Sequence, residues 1–494
     1  MSSALSAYVV LLVILVALSM YLRKSRLSLF RSAILSFAVI TLCAVAFLFR
    51  EREGQFGFRD GTVQVEIPFP SGERGSLNGP LFENHGNSFE RLDLDEKECR
   101  ANFPSLARDV GDSVARGKFV FEKNSLDYQG LVQGRIKNGS MYVLTTAPDN
   151  VPQALHQRTA ILHQLHRALI TSPSPLPDTR FAFVVNDSPK NNSWAFAKPN
   201  KPSSYNTWLM PHFGFWSWPS ANLGTMDDTL SRIDEIESAT EWSGKIDKVV
   251  WRGTPWFNPV GHPRLRQDLV RVAQGQEWAD VEKFEVGIGG ETHNALKIKD
   301  FCKYKYVMYT EGVTYSGRLP YHQACESVLL TPPLSYLTTT AWLMKPIDAD
   351  VLLLGFPETN EENEEIRTNN SSSTWKAPTL LETTSYWEEA NAIYVRPDFS
   401  NLEATVQFLR SRPDIARHIS TNQRKKLVGG GFLSPAAEAC YWRTLVRGWA
   451  SVAVANAEEW SDEIGERFES WILKEVVERR GGTRGKNEGR ERPT

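Results

Sequence analysis

Two uncharged apolar runs near the N-terminus constrain this chain more than any other feature. Residues 4–22, ALSAYVVLLVILVALSMYL, and residues 32–49, SAILSFAVITLCAVAFLF, contain no charged side chain. Each is long enough to cross the roughly 30 Å hydrocarbon core of a bilayer as a helix. The link between them carries Arg23, Lys24, Arg26 and Arg31, and short basic links stay on the cytosolic side. Two spans with a cytosolic link make a hairpin that puts the rest of the chain in the lumen. A single anchor or a cleaved signal peptide is the alternative, although the first run lacks a basic segment before it and a convincing small-residue cleavage site. The expected setting is a membrane of the secretory pathway, Golgi or endoplasmic reticulum, with the membrane contacted through residues 4–49.

The charge is divided accordingly. Lysine plus arginine total 56 against 58 acidic residues, a net charge of −2. Residues 1–50 contribute five bases and no acid, so the remainder carries −7. A body of that sign is not a nucleic-acid binder held by phosphate contacts. Its 494 residues, 41% of them hydrophobic, exceed one ordinary domain and can bury a large core. A lumenal body meets oxidising conditions. Cys43 lies in the second apolar run, which leaves Cys99, Cys302, Cys325 and Cys440 for two bridges, with three possible pairings. Asn138, Asn191, Asn369 and Asn370 open N-glycosylation sequons.

Beyond the apolar runs, residues 51–95 read as a Gly-, Pro- and charge-rich stem. From there, apolar runs rich in β-formers alternate with helical patterns. RFAFVVND (180–187) reads as a buried strand ending in Asp187. KVVWRGT (248–254) is a second strand, followed by helical RLRQDLVRVA (264–273). KYKYVMYTEG (303–312) leads through VTYSGR to helical PYHQACES and apolar VLL. Such alternation predicts an α/β architecture with parallel sheets, and its length implies two such domains facing a cleft. Residues 357–374 read as an acidic insertion loop, and 479–494 as a charged, disordered tail. All 15 tryptophans follow position 190, and seven of them fall between Trp194 and Trp256.

The commonest hydrolase, zinc and P-loop signatures are absent. GIGGE (287–291) reads as an ordinary glycine turn. Asp348-Ala-Asp350 has the form of a metal-holding carboxylate pair, which supplies a rival reading of a metal-dependent transferase; a polar turn before a strand is the simpler account. A second rival is a non-catalytic, membrane-tethered carbohydrate-binding protein. His212 and His322 are expected to be structural, and no residue set has metal-ligand spacing.

Four segments in order, KVVWRGTPW with HPRLR, FCKYKYVMYTEGVTYSGR, YHQACESVLL and EACYW, resemble glycosyltransferase family 90, the capsule-associated-protein type that includes the Rumi protein O-glucosyltransferases. The resemblance covers roughly residues 95–450. It implies a GT-B fold, two Rossmann-like domains facing a cleft, with an acceptor-side domain over 96–235 and a donor-side domain over 236–450. A C-terminal helix is expected over 451–478, and the transmembrane helices over 1–50 precede the whole. It also implies inverting transfer of xylose or glucose from a UDP-sugar to a hydroxyl of a glycan or glycoprotein. No resident cofactor is expected, with stimulation by Mn or Mg left open.

The resemblance assigns roles as well. Asp187 falls at the position of the catalytic base. Val313, Thr314, Tyr315, Ser316, Gly317 and Arg318 match the UDP-binding loop, with Gly317 standing where the animal members have an aromatic residue. Arg318, just before a helical pattern, is expected to meet the diphosphate together with the helix's first N–H groups. Arg252, Gly253 and Thr254 match an RG[ST] turn that approaches the nucleotide. A basic residue downstream is Arg264 or Arg266, Arg264 being the one placed in the site. Trp218 is the sugar-facing candidate in NTWLMPHFGFWSWPS (206–220). The resemblance pairs Cys302 with Cys325 and Cys99 with Cys440.

Overall fold

A computed structural model describes residues 89–123, 129–148, 152–218, 223–285, 292–354, 381–456, 458–460 and 464–475. All belong to one unit that begins at Ser76. The two apolar N-terminal runs, most of the stem, the GIGGE turn, the acidic insertion, Asn369, Asn370 and the C-terminal tail lie outside the described residues. Among the described residues no helix is long and apolar enough to cross a membrane.

Two six-stranded sheets organise the fold. The later one is wholly parallel. Its spatial order is Pro346–Asp348, Ala392–Tyr394, Val328–Thr331, Tyr304–Met308, Ile246–Gly253 and Ala279–Lys283. Strands buried on both faces read as continuous apolar runs, which is why VVW, YVM and VLL stand out in the sequence. The chain leaves Ile246–Gly253 for the edge strand Ala279–Lys283, then returns to the opposite neighbour, Tyr304–Met308. That reversal is a topological switch point, and in open α/β sheets the crevice beyond the strand ends there is where ligands bind.

The earlier sheet is mixed, which corrects the expectation of parallel pairing throughout. Its order is Glu466–Arg467, Ser140–Thr146, Leu131–Lys137, Thr179–Val184, Ser193–Ala195 and Thr207–Leu209. The first four strands pair antiparallel and the last three parallel. The cause is local: Asn138 and Gly139 both adopt positive φ, 49° and 70°, the geometry of a tight hairpin turn that Asn-Gly favours. The first sequon is thus an exposed hairpin tip, and Asn191 of the second is also exposed.

Strand Thr179–Val184 stops short of the expected end at Asp187. The Asn186 side chain donates to the carbonyl of Gln129 and accepts the N–H of Ser188 at 2.9 Å. This side-chain turn lifts Asp187 out of the sheet.

Helix Pro435–Val452 crosses back from the later sheet to the earlier half, where it packs on helices Pro152–Ile170 and Arg108–Val114. Trp194 lies between Phe181, stacked at 4.9 Å, and Trp449, edge-on at 5.7 Å, with Trp442 close by. Truncating a buried tryptophan in such a core costs about 3–5 kcal/mol. After Val452 the chain forms strand Ala453–Ala455 and becomes helical again over 468–475, so 451–478 is not one continuous helix.

Both disulfides join the pairs that the resemblance implied, Cys99 to Cys440 and Cys302 to Cys325, with sequence separations of 341 and 23. In the chain-entropy account the short loop contributes about 3 kcal/mol and the long one about 6 kcal/mol.

Candidate active site

The site forms where segments following strands of the two sheets meet. Asp187 stands exposed three residues beyond strand Thr179–Val184. The hydroxyl of Thr314 donates to its Oδ1 at 2.9 Å. Thr314 belongs to the loop after strand Tyr304–Met308, one of the two strands flanking the switch point.

A buried phenol shapes that loop. The Tyr309 hydroxyl accepts the N–H of Ser316 at 2.9 Å and donates to the Ser316 carbonyl at 3.2 Å. The N–H of Gly312 donates to the Tyr315 carbonyl at 3.4 Å. The loop is thereby closed on itself, with Val313 exposed at its crest. Burial, together with the charge of Asp187, pushes the Tyr315 phenol well up, so it stays protonated.

Two guanidinium groups are held by main-chain carbonyls beside the loop, that of Arg318, its last residue, and that of Arg266. Arg318 donates to the carbonyl of Arg252 and lies over the Phe284 ring at 5.5 Å. Arg266 donates to the carbonyls of Glu311 at 2.9 Å and Thr254 at 3.0 Å. Neither makes an ion pair among the described residues. Burial lowers the pKa of both; Arg266, which also feels the charge of Arg318, is brought down to about 10. Two neighbouring cations held by carbonyl oxygens form a site that an anion completes.

The remaining sequence candidates divide. Arg264, 72% exposed at its side chain and 3.8 Å from Asp268, stands outside this cluster, whereas Arg266 is in it. The guanidinium of Arg252 turns into the sheet, donating to Asp280 Oδ1 at 2.6 Å and to the carbonyls of Asp280, Trp251 and Asn294. Arg252 reaches the site through its main-chain oxygen. Gly253 is buried, and a Cβ there would lie 2.6 Å from Trp251 Cζ2, so packing requires glycine. Thr254 offers the carbonyl that holds Arg266. The helix after Arg318 spans only Leu319–Gln323; its first N–H is taken by the Ser316 carbonyl and Pro320 has none. Two of the first three positions of the helix therefore offer no free N–H.

Trp218 is half-buried and packs edge-on to Phe213 at 4.9 Å and near His212 at 5.4 Å. A Cβ on Gly317 would lie 2.7 Å from His212 Nε2 and 2.8 Å from Trp218 Cζ3. The indole and imidazole thus occupy the space a side chain at 317 would need. His212 Nδ1 accepts the Gly214 N–H at 3.0 Å, and burial holds its pKa at about 3, so the neutral ring carries its proton on Nε2. The seven clustered tryptophans serve different ends: Trp194, Trp208 and Trp251 are core, while Trp256 is 69% exposed beside the Thr254 turn.

Asp348 and Asp350 are engaged elsewhere. Asp348 caps helix Ala349–Leu353 by accepting the Asp350 N–H at 2.8 Å, and Asp350 takes Arg396 Nε at 2.9 Å and Asn401 Nδ2 at 3.0 Å. Among the described residues, the group close enough to ligate a metal is Glu237 with Cys302 and Cys325. Those two sulfurs are joined to each other, so neither is a thiolate ligand.

Sequence reasoning missed Tyr309, Glu311 and Tyr336. The first two lie inside YVMYTEG, directly ahead of the loop, where a phenol and a carboxylate interrupting an apolar run were the available signal. Tyr336 carried none, because its place depends on tertiary contacts.

The family model described as glycosyl transferase family 90 matches residues 95–349, which include Asp187, both arginines and the 313–318 loop. Protein O-glucosyltransferase 1 of Homo sapiens is 23% identical over 291 residues, 55% of this chain and 62% of that protein. Its Mus musculus counterpart is 21% identical over 324 residues, 61% of this chain and 68% of the relative. The O-glucosyltransferase rumi homolog of Aedes aegypti is 22% identical over 246 residues, 43% of this chain and 60% of the relative. The chain therefore spans about three fifths to two thirds of the length of these curated relatives. With more than half of its residues matched by the model, the chain belongs to glycosyltransferase family 90.

Proposed function

We propose that this protein is an inverting, UDP-sugar-dependent glycosyltransferase of GT-B type, anchored by residues 4–49 with its body in the lumen of the Golgi or endoplasmic reticulum. The observation that carries the reading is the hydrogen bond from Thr314 to Asp187, made by a loop that ends in Arg318 and follows Glu311, whose carbonyl holds Arg266. One carboxylate oxygen of Asp187 accepts from Thr314, which leaves the other for an acceptor hydroxyl.

In this reading Asp187 removes the hydroxyl proton as that oxygen forms a bond to the anomeric carbon. The bond from that carbon to UDP breaks on the opposite face, and UDP leaves with the electron pair. One displacement inverts the centre. Arg318 and Arg266 stabilise the charge gathering on the diphosphate, while Trp218 offers an aromatic face to the sugar. The names of the relatives favour glucose as donor sugar and a protein hydroxyl as acceptor; xylose and a glycan acceptor remain the other pair to test. The reading needs no resident cofactor.

The test is to incubate the full chain in detergent with UDP-glucose and UDP-xylose, separately, and to follow UDP release and product formation. One donor should be consumed, with inversion at the anomeric carbon. The Asp187→Asn variant should bind UDP and transfer nothing; full turnover by that variant, or no turnover of any UDP-sugar by the wild type, would sink the proposal.

A further inference from the structure

We propose that Glu311 is a positioning residue that sets the register between the donor loop and the half of the molecule carrying Asp187. The inference rests on the transferase reading above. Glu311 immediately precedes the glycine that opens the loop, and it is 4% exposed. Its carboxylate accepts two successive main-chain N–H groups, Ser335 to Oε2 at 3.0 Å and Tyr336 to Oε1 at 2.8 Å. No ion pair to the carboxylate is present among the described residues; Arg266 binds the main-chain oxygen of Glu311 instead. Burying a carboxylate without a cation costs several kcal/mol, and burial raises its pKa to about 7.

What this buried charge holds explains its position. The Ser335 carbonyl accepts the N–H of Asn200 at 2.8 Å, and the Leu334 carbonyl accepts Asn200 Nδ2 at 2.9 Å. Tyr336–Leu337 then pairs antiparallel with Lys198–Pro199, a segment of the half that carries Asp187. Three residues on from Glu311, Thr314 touches Asp187 itself. Burial raises the phenol pKa of Tyr336, and the charges of Glu311 and Asp187, both nearby, raise it further. Glu311 is thus the point where the donor loop is fastened to the other half by a second route, independent of the Thr314 hydroxyl.

Two adjacent N–H donors require two acceptor oxygens. Glutamine offers one, and its NH2 faces the second N–H, so Glu311→Gln should break one fastening bond while keeping the volume. The expected result is a fall in kcat of about 10- to 100-fold, the scale of a small misplacement of catalytic groups, with the Kd for UDP within about twofold of wild type. Hydrogen exchange at the 335 and 336 amides should quicken by at least about tenfold. Should Glu311→Gln fail to fold, Asn200→Ala tests the same link from its far side and should lower kcat with UDP affinity kept. An unchanged kcat, or UDP affinity lost in step with kcat, overturns the proposal. If the wild type transfers no sugar, the transferase reading has failed instead; protection of the 335 and 336 amides that is unaltered by Glu311→Gln would then refute the fastening role by itself.

Discussion

Thr314 and Asp187 share a 2.9 Å hydrogen bond although they belong to segments that follow strands of different sheets. The contact orients the carboxylate and joins the two halves at the point where proton transfer is proposed. Replacing Asp187 with Asn should lower transfer about 10²- to 10⁴-fold, the usual contribution of a general base. Thr314→Ala removes one hydrogen bond, and turnover should fall about 5- to 10-fold. Thr314→Ser should recover most of it. Steady-state kinetics on the three variants separate orientation from chemistry; a Thr314→Ser enzyme no better than Thr314→Ala would argue against orientation by the hydroxyl.

Arg266 and Arg264 are two positions apart and should behave oppositely. Arg266→Ala should weaken UDP binding by about 1.5–3 kcal/mol, roughly 10- to 150-fold in Kd. Arg264→Ala removes only an exposed pair with Asp268, and its Kd should stay within about twofold. Calorimetry with UDP reads both, and equal losses would contradict the assignment.

Gly317 is glycine because His212 and Trp218 fill the space above it. Gly317→Phe should overpack the site and cost about 1–3 kcal/mol. Adding Trp218→Ala makes room, so the double variant should melt higher than the Gly317→Phe single variant. A double variant at least as unstable as the single one would show that the crowding lies elsewhere.

Glu438 gives a pH dependence with a definite sign. Its side chain is fully buried, faces Arg167, Trp442 and Asp227, and is pushed up to about 7 by burial. A raised carboxyl pKa means that the folded state binds the proton more tightly than the unfolded chain. This contribution to stability is fully present below the unfolded value near 4.5 and is lost as pH rises through about 7. Glu438→Gln cannot titrate. Its stability relative to wild type should therefore improve between pH 5 and pH 8, on the order of a few kcal/mol. Denaturant unfolding of both proteins at the two pH values checks this, and a constant difference would refute it.

Asp348 should matter for stability rather than turnover. Asp348→Ala deletes a helix cap worth about 1 kcal/mol and should leave transfer rates unchanged, with or without EDTA. A large loss of rate in the folded variant would revive the metal-dependent reading.

The legible parts of this fold are those whose signal is local. The parallel sheet announced itself through VVW, YVM and VLL, because strands covered on both faces have no polar side to interrupt them. The antiparallel part of the other sheet turns on Asn138-Gly139, noted in the sequence only as a sequon although the same residues favour a hairpin turn. Among the site residues, the 313–318 loop and Asp187 were reached by resemblance. The inward turn of Arg252 was not, because its partner Asp280 comes from the neighbouring strand 28 residues away. The link from Glu311 to Ser335 and Tyr336 was hidden for the same reason: a buried carboxylate is identified by its donors, and these lie a helix and a strand further on.

The return of helix Pro435–Val452 to the earlier half sets an order of events during synthesis. The core around Trp194 lacks Trp442 and Trp449 until the chain is nearly complete, and Cys99 has no partner until Cys440 is made. At about 5–20 residues per second, the 341-residue interval lasts roughly 20–70 s. Cys302 and Cys325, only 23 residues apart, emerge within that interval and can join first. The half first translated is thus the half last completed, and a nascent chain stalled before residue 435 would hold an open core and an unpaired Cys99 thiol.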